Sequence, residues 1–250
     1  MARINIGYEW LDRLMPEGIG IPSSTIISGP GGTGKPLVGF AFVSSWLNAG
    51  GNVILVPLQY PSIEFTRETM EKLYGVKLGW YVKRVFFVNF NPSILSIEKG
   101  EKGVIKANLL KPKIWDNVIS MAEGSFDKSE LGTLVFSAAI NLLLFSKTYR
   151  NIILEKLKEM IEKDKSRSYL FTVSTSAFKQ KIQMLENAAD NLMVTRMEKP
   201  MNLYFKILRV KNARFLGEEV LTPFSEKVLK GVKEITESQR KRIIPIVSQI

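Results

Sequence analysis

Cysteine and histidine are both absent from this 250-residue chain. Their absence excludes disulfides, thiol and imidazole nucleophiles, and zinc sites built from those ligands. Any catalysis would rest on carboxylates, lysine, hydroxyls or a bound nucleotide. Long apolar runs are missing too. None approaches the ~20 residues of a membrane span. The longest patch, AAINLLLF (Ala138–Phe145), is interrupted by Asn141. The amino terminus MARINIGYEW lacks the character of a signal peptide, so a cytoplasmic location is expected.

Negative charge is the scarcer sign. There are 24 acidic against 35 basic residues, a net charge of +11. That balance suits attraction to nucleic acid or another polyanion. A lysine-rich solvated surface gives the same number, and the basic residues are spread along the chain with only small clusters such as SQRKR (Ser238–Arg242). Abundant Lys and Glu without Cys also fit a protein from a hot environment. With 45% hydrophobic residues, the length suits a globular α/β domain with an ample core.

The amino-terminal third alternates strand and helix. STIISG (Ser24–Gly29) is a short β-branched run ending in glycine, followed by a Gly-rich loop and an apolar helix over 36–48. NVILVPL (52–58) and VKRVFFVNF (82–90) read as strands around a helix at 61–75. Further on, helices are expected at 112–124 and 148–166, strands at 132–139 and 168–175, and an exposed connection at 96–108. After residue 190 the pattern turns antiparallel, with strands in MNLYFKILRVKNAR and EEVLTPFS and a turn near Gly217. A charged helix starts near Lys233, and the tail IIPIVSQI is β-prone. The expected architecture is a mainly parallel twisted sheet flanked by helices, with antiparallel strands added near the carboxyl terminus. Ligands of such sheets sit beyond the carboxyl ends of the strands.

Within that plan, Gly29, Gly34 and Lys35 meet the phosphate-loop pattern G-x-x-x-x-G-K-[ST], except that Pro36 holds the last place. Such a loop wraps phosphates with backbone N–H groups, reaches them with its lysine and holds magnesium with its hydroxyl. Gly29, Gly31, Gly32, Thr33, Gly34 and Lys35 are all present to attract an anion. Pro36 has neither hydroxyl nor N–H.

The order of segments resembles the RecA/KaiC-like P-loop ATPase family, in particular its archaeal single-domain members. INIGYEWLDRLMPEGI, with Gly7, Leu11 and Asp12, resembles the family's entry. STIISGPGGTGKPLVGF resembles its nucleotide loop. AADNLMVTRME resembles its late Ala-Asp segment, and KILRVKNAR the strand carrying Lys and Arg toward a neighbouring subunit's nucleotide. The resemblance implies a RecA-like domain over 1–232, with a carboxyl-terminal extension over 233–250.

It also implies three positions of chemistry that this sequence has replaced. Pro36 stands where the magnesium hydroxyl belongs, Ser137 where the magnesium carboxylate ends the central strand, and Gln59 where a glutamate activates water. Asp127 and Glu130 precede that strand and fall at the wrong edge of the sheet. Losing a general base costs ~10²–10⁴ in rate. Lys211 and Arg214 stand near the family's inter-subunit basic pair with one extra residue of spacing; two plain surface cations are an equal reading.

The expected function is therefore that of a catalytically inactive pseudo-ATPase acting as a binding, scaffold or regulatory protein. It would require no metal and no magnesium, with ATP, phosphate or sulfate held weakly at most. The alternatives are a nucleic-acid-binding recombinase paralogue and, last, a residual ATPase. Partners would be other proteins or further copies in an oligomer. Ile243, Ile244, Ile246 and Val247 could add an edge strand to this chain or to another.

Overall fold

The computed structural model describes residues 2–60 and 62–250. A small sheet, β1 (Ala2–Ile4) against β2 (Ile19–Ile21), brackets helix α1 (Glu9–Leu14). The main sheet begins with β3 (Ser24–Ser28), followed by α2 (Lys35–Asn48), β4 (Asn52–Pro57), α3 (Ile63–Tyr74) and β5 (Val85–Phe90). It continues through β6 (Ile97–Lys99), β7 (Val104–Ala107), α4 (Pro112–Glu123), β8 (Thr133–Ala138), α5 (Arg150–Glu162) and β9 (Ser168–Thr172). The last third holds α6 (Lys179–Ala188), β10 (Asn191–Glu198), β11 (Asn202–Arg209), β12 (Glu219–Leu221) and the long helix α7 (Glu226–Gln249).

Ten strands lie in the order β12-β11-β10-β3-β9-β8-β4-β5-β7-β6. From β10 to β7 the pairing is parallel; β11, β12 and β6 add antiparallel strands at the two edges. Alternate residues of the central strands face opposite cores, as the two-residue period of a strand requires. Ile27, Leu55, Phe136 and Leu170 face the side covered by α2 and α3, whereas Ile26, Ile54, Val135 and Phe171 face α4, α5 and α6. A strand buried on both faces reads as a continuous apolar run, which is why β4 and β8 stand out in the sequence.

Caps fix several boundaries. Ser62 accepts a hydrogen bond from the Phe65 N–H at 3.2 Å, and α3 stops at Gly75, whose φ of +68° is left-handed. The 112–124 helix starts with Pro112 at its first turn.

Three expectations are corrected. The exposed connection over 96–108 contains β6 and β7, joined by a turn in which Gly100 N–H donates to the Val104 carbonyl at 3.0 Å. Its Lys, Glu and Gly content hides the alternation that buries Ile105 and Ala107. Helix α6 falls in a segment read without a helix. The tail is the third. Ile243, Ile244, Ile246 and Val247 lie in the last turns of α7 and not in a strand, and the helix runs unbroken past positions 232 and 233. Proline at 245 removes only one intrahelical donor near the end. The four-residue spacing of Ile243 and Val247 puts both on the inner face, and they are 8% and 0% exposed.

Helix α7 positions the site. Its Leu229 and Val232 belong to the core on the α2 side, and its Ile243 and Val247 to the core on the opposite side. A helix of 24 residues spans roughly 36 Å at ~1.5 Å per residue, enough to cross the sheet. It crosses at the carboxyl edge of the parallel strands.

Candidate functional site

Four connections meet at that carboxyl edge. The loop after β3 supplies Gly31 to Lys35, and the turn after β4 supplies Gln59. Ala139, Asn141 and Leu142 follow β8, and Val173 and Ser174 follow β9. Helix α7 closes the top with Val232, Lys233, Thr236, Glu237 and Arg240. The cavity left between them is about 30 Å³. That is room for water-sized occupants, whereas clefts that bury a drug-sized ligand run to ~300–1,000 Å³.

Glycines set the backbone of the loop between β3 and α2. Gly34, with φ of +62°, caps α2, and Lys35 and Pro36 form the first turn of that helix. A side chain on Gly34 would be strained by the backbone and would meet Leu229 Cδ2 at 2.9 Å. Proximity to α7 repeats along the loop. A methyl group on Gly31 would lie 3.0 Å from Arg240 Nη1, and one on Gly32 would lie 3.4 Å from Lys233 Cε. Gly31 N–H also donates to Ser176 Oγ at 2.9 Å. Asn141 is 2% exposed and accepts from the Ser174 N–H, tying the loop after β8 to the loop after β9.

Lys35 does not reach outward. Its Nζ donates to the carbonyl of Gly29 at 3.0 Å, to Thr33 Oγ1 at 3.0 Å and to the carbonyl of Pro30. All three ammonium donors are spent inside the loop. Burial, aided by the Arg240 charge, pulls its pKa down to about 7. The unfolded lysine titrates near ~10.4. Between these values the unfolded chain binds more protons, so this group's penalty on folding is full below pH 7 and is relieved as pH rises. Unfolding in urea at pH 7 and at pH 9.5 is expected to show a rise in stability on the order of 2–3 kcal/mol that Lys35→Met lacks.

The remaining sequence candidates scatter. Gln59 lines the cavity. Ser137 does not: it is fully buried, and its Oγ donates to the Val56 carbonyl of β4 at 3.1 Å. Asp127 and Glu130 line a separate hollow with Asn52 and Gly132 at the amino edge of the strands, as expected. Lys211 and Arg214 follow β11, which runs against β10, and so they lie at the pole opposite the loop. Lys211 Nζ is 2.6 Å from Asp190 Oδ1, and Arg214 pairs with Glu17. Burial pushes the Asp190 carboxyl up, but Lys165, Lys211 and the Ser24 N–H outweigh it and hold it below its ordinary value.

These residues do not fit a magnesium–nucleotide. Position 36 offers no hydroxyl, the oxygen at 137 is committed to a carbonyl within the sheet, and Glu237 is the one carboxylate facing the loop cavity among the described residues.

Sequence reasoning missed Lys233, Glu237 and Arg240. Their signal was present: steps of four and three place them on one face of α7, in register with buried Leu229, Thr236 and Ile243. Reading the tail as a separate strand broke that periodicity.

No family model and no curated protein matches the chain. Solved structures do. A KaiC-like protein of the hyperthermophilic archaeon Pyrococcus horikoshii superposes with a TM-score of 0.65 at 16% identity, covering 88% of this chain and 94% of that one. An uncharacterized protein of the same organism, solved in complex with an unknown peptide, gives a TM-score of 0.61 at 16% identity, covering 89% and 100%. At that sequence distance the likeness is one of fold: this chain has the RecA-like α/β fold of its KaiC-like neighbour, and its terminal helix lies across the loop between β3 and α2.

Proposed function

We propose that this protein is a pseudo-ATPase that retains the RecA-like fold and acts by binding other polypeptides, as a scaffold or regulatory partner. One observation carries the reading: the space above Lys35 is taken by Lys233, Glu237 and Arg240 of α7, and about 30 Å³ remains. Phosphoryl transfer depends on positioning and on neutralising charge, much of it through the metal. Pro36, Gln59 and Ser137 supply neither the metal ligands nor the base for that chemistry. A binding role uses the fold without the chemistry, and a structural neighbour of this chain was solved with a peptide bound.

The test is a turnover assay with magnesium and ATP. Wild type and Lys35→Ala are expected to give the same background rate. Magnesium-dependent turnover that Lys35→Ala abolishes would overturn the reading.

A further inference from the structure

The arrangement around the loop is electrostatically frustrated. Lys233 and Arg240 face one small cavity floored by Lys35, whose ammonium is turned into the loop, and Glu237 is the sole described carboxylate among its lining residues. Glu237 pairs within its own helix: its Oε1 lies 3.9 Å from Lys233 Nζ. Arg240 makes no ion pair among the described residues, and its guanidinium lies against Gly31. All of this sits at the amino end of α2, whose dipole already favours negative charge. What holds α7 down is apolar: Leu229 and Val232 at one end, Ile243 and Val247 at the other. Its middle, over the loop, is held against like-charge repulsion.

We propose that α7 is an autoinhibitory latch: it occupies the phosphate loop in the resting protein, and a nucleoside polyphosphate enters only when the helix leaves. The two occupants exclude each other by volume. Leu229 abuts Gly34, Lys233 abuts Gly32 and Arg240 abuts Gly31, the positions along which a phosphate chain would lie. The polyanion relieves the repulsion that the latch tolerates, which makes the latch sensitive to it. Affinity in the resting protein is then reduced by the small fraction of molecules with α7 released. The inference rests on the reading of a non-hydrolysing protein but concerns how the same site is regulated.

Two variants of the full chain loosen the helix without altering a cavity-facing charge. Glu234→Pro breaks α7 from its exposed side, and Leu229→Ala with Val232→Ala thins its apolar anchor. Amide exchange of residues 229–247 and ATP affinity by calorimetry, both without magnesium, are measured on each. Millimolar ATP is expected to speed exchange of α7 in wild type. In a variant whose α7 exchanges faster at rest, ATP is expected to bind at least tenfold more tightly. Faster resting exchange with unchanged ATP affinity would overturn the latch, as would ATP binding to wild type that leaves α7 exchange unmoved. The two readings fail separately. A loosened variant that binds ATP more tightly and, once magnesium is added, hydrolyses it keeps the latch and removes the pseudo-ATPase. One that binds no better keeps the pseudo-ATPase and removes the latch.

Discussion

Ser137→Asp, which puts a carboxylate in the central strand β8, is expected to destabilise the protein by about 3–5 kcal/mol. Position 137 is fully buried in β8, in register with Val56 on one side and Phe171 on the other. The present hydroxyl donates to the Val56 carbonyl. An ionised carboxylate cannot donate; it would face that carbonyl oxygen unpaired and unsolvated. The carboxyl would be driven toward its neutral form, raising its pKa in the folded state. The folded protein then binds more protons than the unfolded one, so the added destabilisation grows as pH rises above the ordinary carboxylate range. Ser137→Ala loses only the hydrogen bond, about 1 kcal/mol. Urea unfolding at pH 5 and pH 8 separates the two. An aspartate variant as stable as wild type at both pH values would show that the strand end is open to solvent or to an ion.

Deleting residues 243–250 is expected to lower stability by about 3–5 kcal/mol, which for a chain of this size is a fall of roughly 10 °C in melting temperature. The segment buries Ile243 and Val247 against the core beneath α5, and the Ile250 carbonyl accepts from the Thr148 N–H at 3.1 Å. Burial of each such side chain contributes ~1.5–3 kcal/mol, more than the entropy cost of ordering two helical turns that are already propagated from upstream. Of the two ways the sequence allowed for covering these apolar residues, the chain's own core accounts for Ile243 and Val247, while Ile246 stays 45% exposed. Differential scanning calorimetry with light scattering measures the effect. An unchanged melting temperature would mean that the tail contributes nothing to this fold.

Much of the architecture could be read from the chain because its parallel strands are buried on both faces. Runs such as NVILVP and TLVFSA are continuous and β-branched, and the helices between them carry Ser62, Gly75 and Pro112 at their ends. The loop was legible for the same local reason, since glycine spacing encodes its backbone. What escaped was long-range. Nothing local says that Arg240, about 200 residues after Gly31, will lie on it. Nor does local pattern separate a β-prone IIPIVSQI from the end of a helix, because isoleucine and valine serve both and Pro245 argues against helix interior. Tertiary contact with Thr148 and the α5 side decides it. Ser137 stood out in the sequence only through the resemblance, and its hydrogen bond to Val56 depends on the neighbouring strand and so could not be read from β8 alone.

Calorimetric titration of the wild-type protein with ATP, in the presence and absence of magnesium, tests the central claim most directly. With α7 over the loop, proline at position 36 and the Ser137 hydroxyl committed to Val56, binding is expected to be weak and the two isotherms to coincide. Low-micromolar affinity that requires magnesium would contradict it.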